Sequence, residues 1–392
     1  KSYQKRIRKL GISESANNIG VAPTVEVKSF NQENNELRVS LFLSAGSSSL
    51  SKYRIFVNDI LVETGTATPG QLTANVNLGS GKNKVEFSCT DILGMESLRV
   101  PLYFDITNKI KSDVYLLAFG VSKYQNPSLD LRYAHKDALD LEKTIQKMKG
   151  KGFANVFTKV LTNEQVTPET IKASKDFVKN AKVDDTFVLF IAGHGVHDTD
   201  PEATYYFLTS NADLKNLKGT AADFEMIEDL LQGIPPRNKL FLMDACESGE
   251  IDEETYEDLS GFKNLTGLGI ASRGFKKTAD EVLEAGTSRT SVSAKRTYLY
   301  QKDRYIYNDL VRRSGAIVFS SSKGGELSYE RSDIENGLFT EYIIKAFTTT
   351  EADTDKNGTV TTDELRIYVS AQVAKASGDL QHPTVEIGRA HV

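Results

Sequence analysis

A thiol and an imidazole can share a proton, and this chain places one of each directly after an apolar run. In residues 238–250 (NKLFLMDACESGE) the run at 240–243 breaks into Asp244-Ala245-Cys246. In residues 186–192 (TFVLFIA) the run breaks into Gly193-His194-Gly195. Apolar runs bounded in this way suit central parallel strands covered on both faces, and ligands of such sheets bind beyond the carboxyl ends of the strands. A free thiol titrates near pH ~8.5 and is a poor nucleophile until it is deprotonated. A nearby imidazole can take the proton and return it to a leaving amine. Backbone N–H groups at Gly195 and Cys246 would then face the oxyanion of the tetrahedral intermediate. Taken singly, a cysteine after a strand is more often a small buried hydrophobe and a histidine more often a polar surface residue. The two together, His194 roughly fifty residues before Cys246, form a much more specific pattern.

Four segments carry a family resemblance: 114–124 (VYLLAFGVSKY), 135–141 (HKDALDL), 190–195 (FIAGHG) and 243–249 (MDACESG). Together they resemble the caspase/metacaspase family of cysteine peptidases, nearest its bacterial orthocaspase branch, over residues 112–383. The resemblance implies an endopeptidase using a His194/Cys246 dyad with no third member. It also implies that Asp137 and Asp244 line the primary specificity pocket and hold an Arg or Lys side chain. A facing carboxylate pair suits a guanidinium, which it can bind by charge-assisted bonds. The other reading of Asp137 is a helix-capping carboxylate. The arginine pattern with which caspases proper read aspartate is not evident here. Ala192 departs from the serine that metacaspases often carry two residues before the histidine, and so removes one pocket hydroxyl. His197 reads as a loop residue rather than a second base.

Positioning these residues requires an α/β domain. Residues 114–119, 156–161, 186–192, 205–208, 240–243 and 316–319 read as strands. Helical spacing covers 130–149, with Ala138, Leu139, Leu141, Ile145 and Met148 on one face. Thr167-Pro168-Glu169 opens a helix to about residue 181. Residues 224–231 and 337–347 read as further helices. Alternating strands and helices imply a mostly parallel sheet with helices on both faces, spanning 112–385. Upstream, residues 21–107 contain six short alternating runs separated by turn residues, an all-β immunoglobulin-like sandwich. It serves as a rigid spacer or as a partner-binding module. Residues 1–20 read as a solvated linker, which in bacterial relatives leads to an upstream sensor domain. Residues 386–392 (EIGRAHV) read as a non-native tail.

Residues 251–296 are rich in Ser, Thr, Gly and charge. In the resembled family this stretch separates the two parts of the peptidase and is often cleaved in activation. Arg273, Lys276, Lys277, Arg289, Lys295 and Arg296 are then candidate self-processing sites; the other reading is a loop made basic for solubility. Residues 353–364 (DTDKNGTVTTDE) fit a calcium loop: Asp353, Asp355, Asn357, the Thr359 carbonyl and Glu364 as ligands, with Gly358 at the turn. The other reading is a turn followed by a helix start at Thr361 or Thr362.

The bounds agree with this assignment. A net charge of −5 over 392 residues points away from nucleic acid, and no apolar run is long enough for a membrane span. Two cysteines, Cys89 and Cys246, cannot form a disulfide framework, so both are expected as free thiols in a reducing, cytoplasmic compartment. The expected partners are protein or peptide substrates, the expected state is a monomer, and no cofactor beyond candidate calcium is implied. The competing functions are a catalytically idle interaction scaffold and a calcium-responsive binding module.

Overall fold

The computed structural model describes residues 20–107, 111–198, 204–245, 270–272, 314–323 and 326–386. The chain divides into two units, Lys1–Lys109 and Ile110–Val392.

The first unit is all-β: β1 (Thr24–Glu33), β2 (Glu36–Ser44), β3 (Leu50–Val57), β4 (Ile60–Thr66), β5 (Gly70–Asn77), β6 (Gly81–Asp91) and β7 (Val100–Ile106). They form two antiparallel sheets, β1-β2-β5 and β4-β3-β6-β7. Period-2 alternation decides the inner face, so that Leu37, Val39, Leu41 and Leu43 are buried between exposed or half-exposed neighbours. Ile55, Val57, Val85, Phe87 and Cys89 are among the buried residues of the second sheet. Burial pushes the Cys89 thiol up, as expected for a core cysteine. The strand β4 has no counterpart among the six expected runs. It is a half-buried edge strand, and the stretch 65–70, which reads locally as turn material, begins inside it.

The second unit is built on a six-stranded sheet in the order β19-β16-β14-β10-β8-β9. Its strands are β8 (Val114–Gly120), β9 (Val156–Thr162), β10 (Thr186–Gly193), β14 (Asn238–Ala245), β16 (Ile317–Ser320) and β19 (Thr384–Glu386). All neighbours are parallel except β19, which runs antiparallel to β16. Every residue of β8 is buried, as both-face coverage demands. Its longer helices among the described residues are α1 (Ala134–Gln146), α2 (Pro168–Ala173), α3 (Phe224–Leu231), α4 (Leu338–Thr348) and α5 (Thr362–Ala376). One face of the sheet carries α1 so closely that a Cβ at Gly120 would stand 2.5 Å from the Ala134 carbonyl oxygen. Two small sheets complete the unit: β11 (Gly195–His197), β12 (Tyr205–Phe207) and β13 (Ala222–Asp223); and β15 (Ile270–Ser272), β17 (Tyr329–Arg331) and β18 (Asn336–Gly337).

Three local expectations are corrected. The helix opened by Thr167 is α-helical only to Ala173 and tightens to a 3-10 helix over Ser174–Val178. The Ser174 hydroxyl donates to the Thr170 carbonyl, a back-bond that competes with regular helix geometry. Leu139 is exposed while Ala138, Leu141 and Ile145 are buried, because one residue rotates the side chain by about 100° around the axis. His197 is a buried strand residue of β11, edge-on to the Tyr205 ring, and not a loop residue. The strand β19 reaches Glu386, the first residue of the expected foreign tail; residues 387–392 lie outside the described residues. So do residues 1–19 and, apart from 270–272, the stretch 251–296 with its six basic candidate sites.

Candidate active site

His194 stands directly beyond β10, and the loop between β8 and α1 wraps it. Its Nε2 lies 2.8 Å from the Leu129 carbonyl oxygen. A carbonyl can only accept, so Nε2 carries the hydrogen and in the neutral ring the lone pair sits on Nδ1. The backbone N–H of His194 donates to the Tyr124 hydroxyl (3.0 Å), which donates in turn to the Val121 carbonyl (3.2 Å). The Tyr124 ring lies 5.2 Å from the imidazole. The wrapping loop is itself fixed. Asn163 Oδ1 accepts from the N–H groups of Ser122 and Lys123, and Asp130 accepts from the Tyr124 N–H and the Lys123 ammonium. That ammonium and the Tyr124 N–H hold the Asp130 carboxyl below its ordinary range. Gly193 must be glycine: φ is +155°, and a Cβ would stand 3.0 Å from the Tyr124 hydroxyl.

Gly195 opens β11. The ladder bond to β12 runs from the Leu208 N–H to the His194 carbonyl. Gly195 and Phe207 are therefore a pair that exchanges no bonds, and the Gly195 N–H is not spent on that ladder.

Asp137 and Asp244 are both fully buried. Asp244 is the penultimate residue of β14, and Asp137 lies in the first turn of α1. The start of one helix gathers them. The N–H of Gly337, the N-cap of α4, donates to Asp137 Oδ1 (2.9 Å), and the Thr340 hydroxyl three residues on donates to Asp244 Oδ2 (2.6 Å). The Ser328 hydroxyl donates to Asp244 Oδ1 (2.8 Å). A helix N-terminus carries positive partial charge, so it is where two buried carboxylates can be held together. Glu330 joins the same region from β17: its two oxygens accept from the consecutive N–H groups of Arg132 and Tyr133 at the start of α1. Sequence reasoning missed Leu129, Ser328, Glu330, Gly337 and Thr340. A main-chain carbonyl has no sequence signature, and hydroxyls and N–H donors about a hundred or two hundred residues away have no local one.

The sheet register places Ala192 of β10 beside Asp244. The proposed nucleophile Cys246, two residues beyond Asp244, lies outside the described residues.

In the other expected site, Asp353, Asp355 and Glu364 each have a carboxylate oxygen within 4.8 Å of the others. Asp353 accepts from the N–H groups of Asn357 and Gly358, and Asn357 Oδ1 accepts from the Thr359 N–H (2.8 Å). Glu364 Oε2 accepts from the N–H and hydroxyl of Thr361, the N-cap of α5. Its Oε1 accepts from the N–H and hydroxyl of Thr354. These donors hold the Glu364 carboxyl at about 2. Three gathered carboxylates and a turn glycine (Gly358, φ +83°) fit a hard cation with oxygen ligands. The helix α4 ends at Thr348, short of the loop's first ligand.

The family model described as Caspase domain matches residues 114–390. The chain therefore belongs to the caspase-domain family, whose members are cysteine-type peptidases. No curated protein sequence matches it. Among solved structures, the chain is similar to a Geobacter sulfurreducens protein at 17% identity and TM-score 0.44, covering 70% of this chain and 93% of that one. It is also similar to fibronectin(III)-like modules of Clostridium thermocellum CbhA at 11% identity and TM-score 0.19, covering 22% of this chain and 100% of that one.

Proposed function

We propose that this protein is an endopeptidase of the orthocaspase type that cuts after Arg or Lys. In this reading Cys246 attacks the scissile carbonyl. His194 accepts the thiol proton at Nδ1 while its Nε2–H stays on Leu129, and it later returns the proton to the leaving amine. The N–H groups of Gly195 and Cys246 receive the oxyanion. Asp137 and Asp244 hold the basic side chain. The observation that carries this is the pair of buried carboxylates gathered at the start of α4, one strand away from the histidine-bearing β10.

The loop 353–364 is then a calcium site in which Asp353, Asp355, Asn357, the Thr359 carbonyl and Glu364 hold the ion. Calcium supplies no step of the chemistry here; it would brace α5 against the loop. The two-sheet unit is an immunoglobulin-like spacer, and the basic residues of 273–296 are self-processing sites. The protein acts as a cytoplasmic monomer on protein or peptide substrates, downstream of a sensor domain, without nucleic acid or membrane.

The test is hydrolysis of fluorogenic peptides ending in Arg, Lys or Asp, with and without calcium, against Cys246→Ala. Cleavage after Arg or Lys that the variant abolishes is the expected result. Cleavage after Asp keeps the dyad and overturns the pocket. No cleavage by the calcium-loaded, processed protein favours the idle scaffold.

A further inference from the structure

The carboxyl end of the sheet holds a polar group that the proposed mechanism does not use. Ser320, Ser321 and Ser322 follow one another where β16 ends. The Ser320 hydroxyl donates to the Ser322 carbonyl (3.2 Å), and the Ser322 hydroxyl donates to the Glu326 carbonyl (3.3 Å). The middle hydroxyl is fully buried and has no hydrogen-bond partner among the described residues. Buried hydroxyls without a partner are uncommon, because burial removes water and puts nothing in its place.

Its position follows from the register. Ser320 pairs with Met243, and the Ser321 N–H donates to the Met243 carbonyl (2.8 Å), which continues the pairing one residue further. Side chains alternate along a strand and share a face across it. Ser321 therefore stands beside Asp244, on the same face, in the row Gly120, Ala192, Asp244, Ser321. That face is the one α1 covers at Gly120 and from which Thr340 of α4 reaches Asp244. The Ser321 backbone is held in place. Gln381 Nε2 donates to its carbonyl (2.8 Å) and reaches the Ser328 hydroxyl (3.3 Å), and Ser328 donates to Asp244.

We propose that the Ser321 hydroxyl is a specificity-determining acceptor of the primary pocket, on the far side of Asp244 from Ala192, taking a hydrogen bond from the guanidinium of an arginine before the cut. This rests on the reading of the pocket as basic-residue-specific. A guanidinium presents five N–H donors in a plane, whereas an ammonium presents three around a point. The wide, flat group needs acceptors beyond the two carboxylates, and a neutral hydroxyl beside Asp244 adds one without further negative charge.

Matched Arg and Lys peptides, cleaved by wild type, Ser321→Ala and Ser321→Thr, test this. Alkylation of Cys246 by iodoacetamide and thermal midpoints are measured alongside. Ser321→Ala is expected to lower kcat/KM for Arg about 10-fold and for Lys less than about 3-fold, as loss of one bond to a charged donor implies. The alkylation rate should hold, and the thermal midpoint should not fall, since the lost hydroxyl has no partner among the described residues. Ser321→Thr should keep the Arg-to-Lys ratio. An unchanged ratio in Ser321→Ala overturns the assignment. A lowered midpoint in Ser321→Ala, or equal loss in Ser321→Thr, makes the residue structural and also overturns it. Wild type that cuts after neither Arg nor Lys removes the basic pocket itself, a failure separate from that of Ser321.

Discussion

The Nε2–H bond from His194 to the Leu129 carbonyl sets the tautomer and ring plane of the imidazole, and in the proposed dyad it would do the work of a triad's third member without a side chain. His194→Ala should lower kcat by about 10²–10⁴-fold with little change in KM, since proton transfer and not binding is removed. The two acids differ in what an amide replacement would disturb. Asp137→Asn keeps an oxygen for the Gly337 N–H, so the fold should hold while kcat/KM for Arg falls about 10²-fold. Asp244→Asn must turn an NH₂ toward either Ser328 or Thr340, both of which now donate. It should therefore cost about 1–3 kcal/mol of stability as well as activity, measured by urea unfolding beside peptide kinetics. A stable Asp244→Asn with full activity would remove the residue from the pocket.

At the scale of elements, the start of α5 separates a structural from a metal-binding role for Glu364. Its carboxyl lies at about 2, below its unfolded value, because Thr361 and Thr354 donate to the ionised form. Its contribution to stability is thus present above pH ~4.3 and is lost as pH falls toward 2. Glutamine at the same helix position preserves the capping box but not the charge. Glu364→Gln should keep the helical circular dichroism and abolish calcium uptake in calorimetry. Retained uptake would remove Glu364 from the calcium ligands, and no uptake by wild type would leave the loop as a capped turn and nothing more. The same capping logic applies to α1: Tyr133 makes no side-chain cap, and the Ser122 hydroxyl accepts from the first-turn His135 N–H in its place, while Glu330 of β17 accepts from the two N–H groups just before the helix.

For the molecule as a whole, Lys239 gives the peptidase unit a pH dependence. It is buried near the start of β14, and its Nζ donates to the carbonyls of Leu231 and Ser314, both at 2.9 Å. Two acceptors match the two N–H groups of a neutral amine. Burial first, and then the Lys175 charge, bring its pKa down to about 7. Below about pH 7 both folded and unfolded chains carry the proton. Between about 7 and 10.4 the unfolded chain binds it and the folded one does not, so stability rises with pH. Denaturant unfolding should gain roughly 1 kcal/mol per pH unit between pH 7.5 and 9. Lys239→Met should be less stable, with two carbonyls left without their donor, and should lose that slope.

Much of the site is legible locally. The strands carrying His194 and Asp244 show as apolar runs because both sheet faces are covered, and the breaks after them mark the carboxyl edge. Gly193, the capping box at Thr361 and the period-2 faces of the first unit are equally short-range consequences of backbone geometry. The edge strand β4 escapes because its sequence, ILVETGT, is apolar only over its first three residues and does not alternate. What the sequence determined alone is the pair of strands that carry His194 and Asp244 and the edge of the sheet at which those two residues stand. Tertiary structure decided which carbonyl fixes the imidazole, which helix start gathers Asp137 with Asp244, and which of three consecutive serines is left with an unspent hydroxyl. Hydrogen bonds between residues about a hundred or two hundred positions apart depend on how strands and helices pack, and no local pattern encodes that packing.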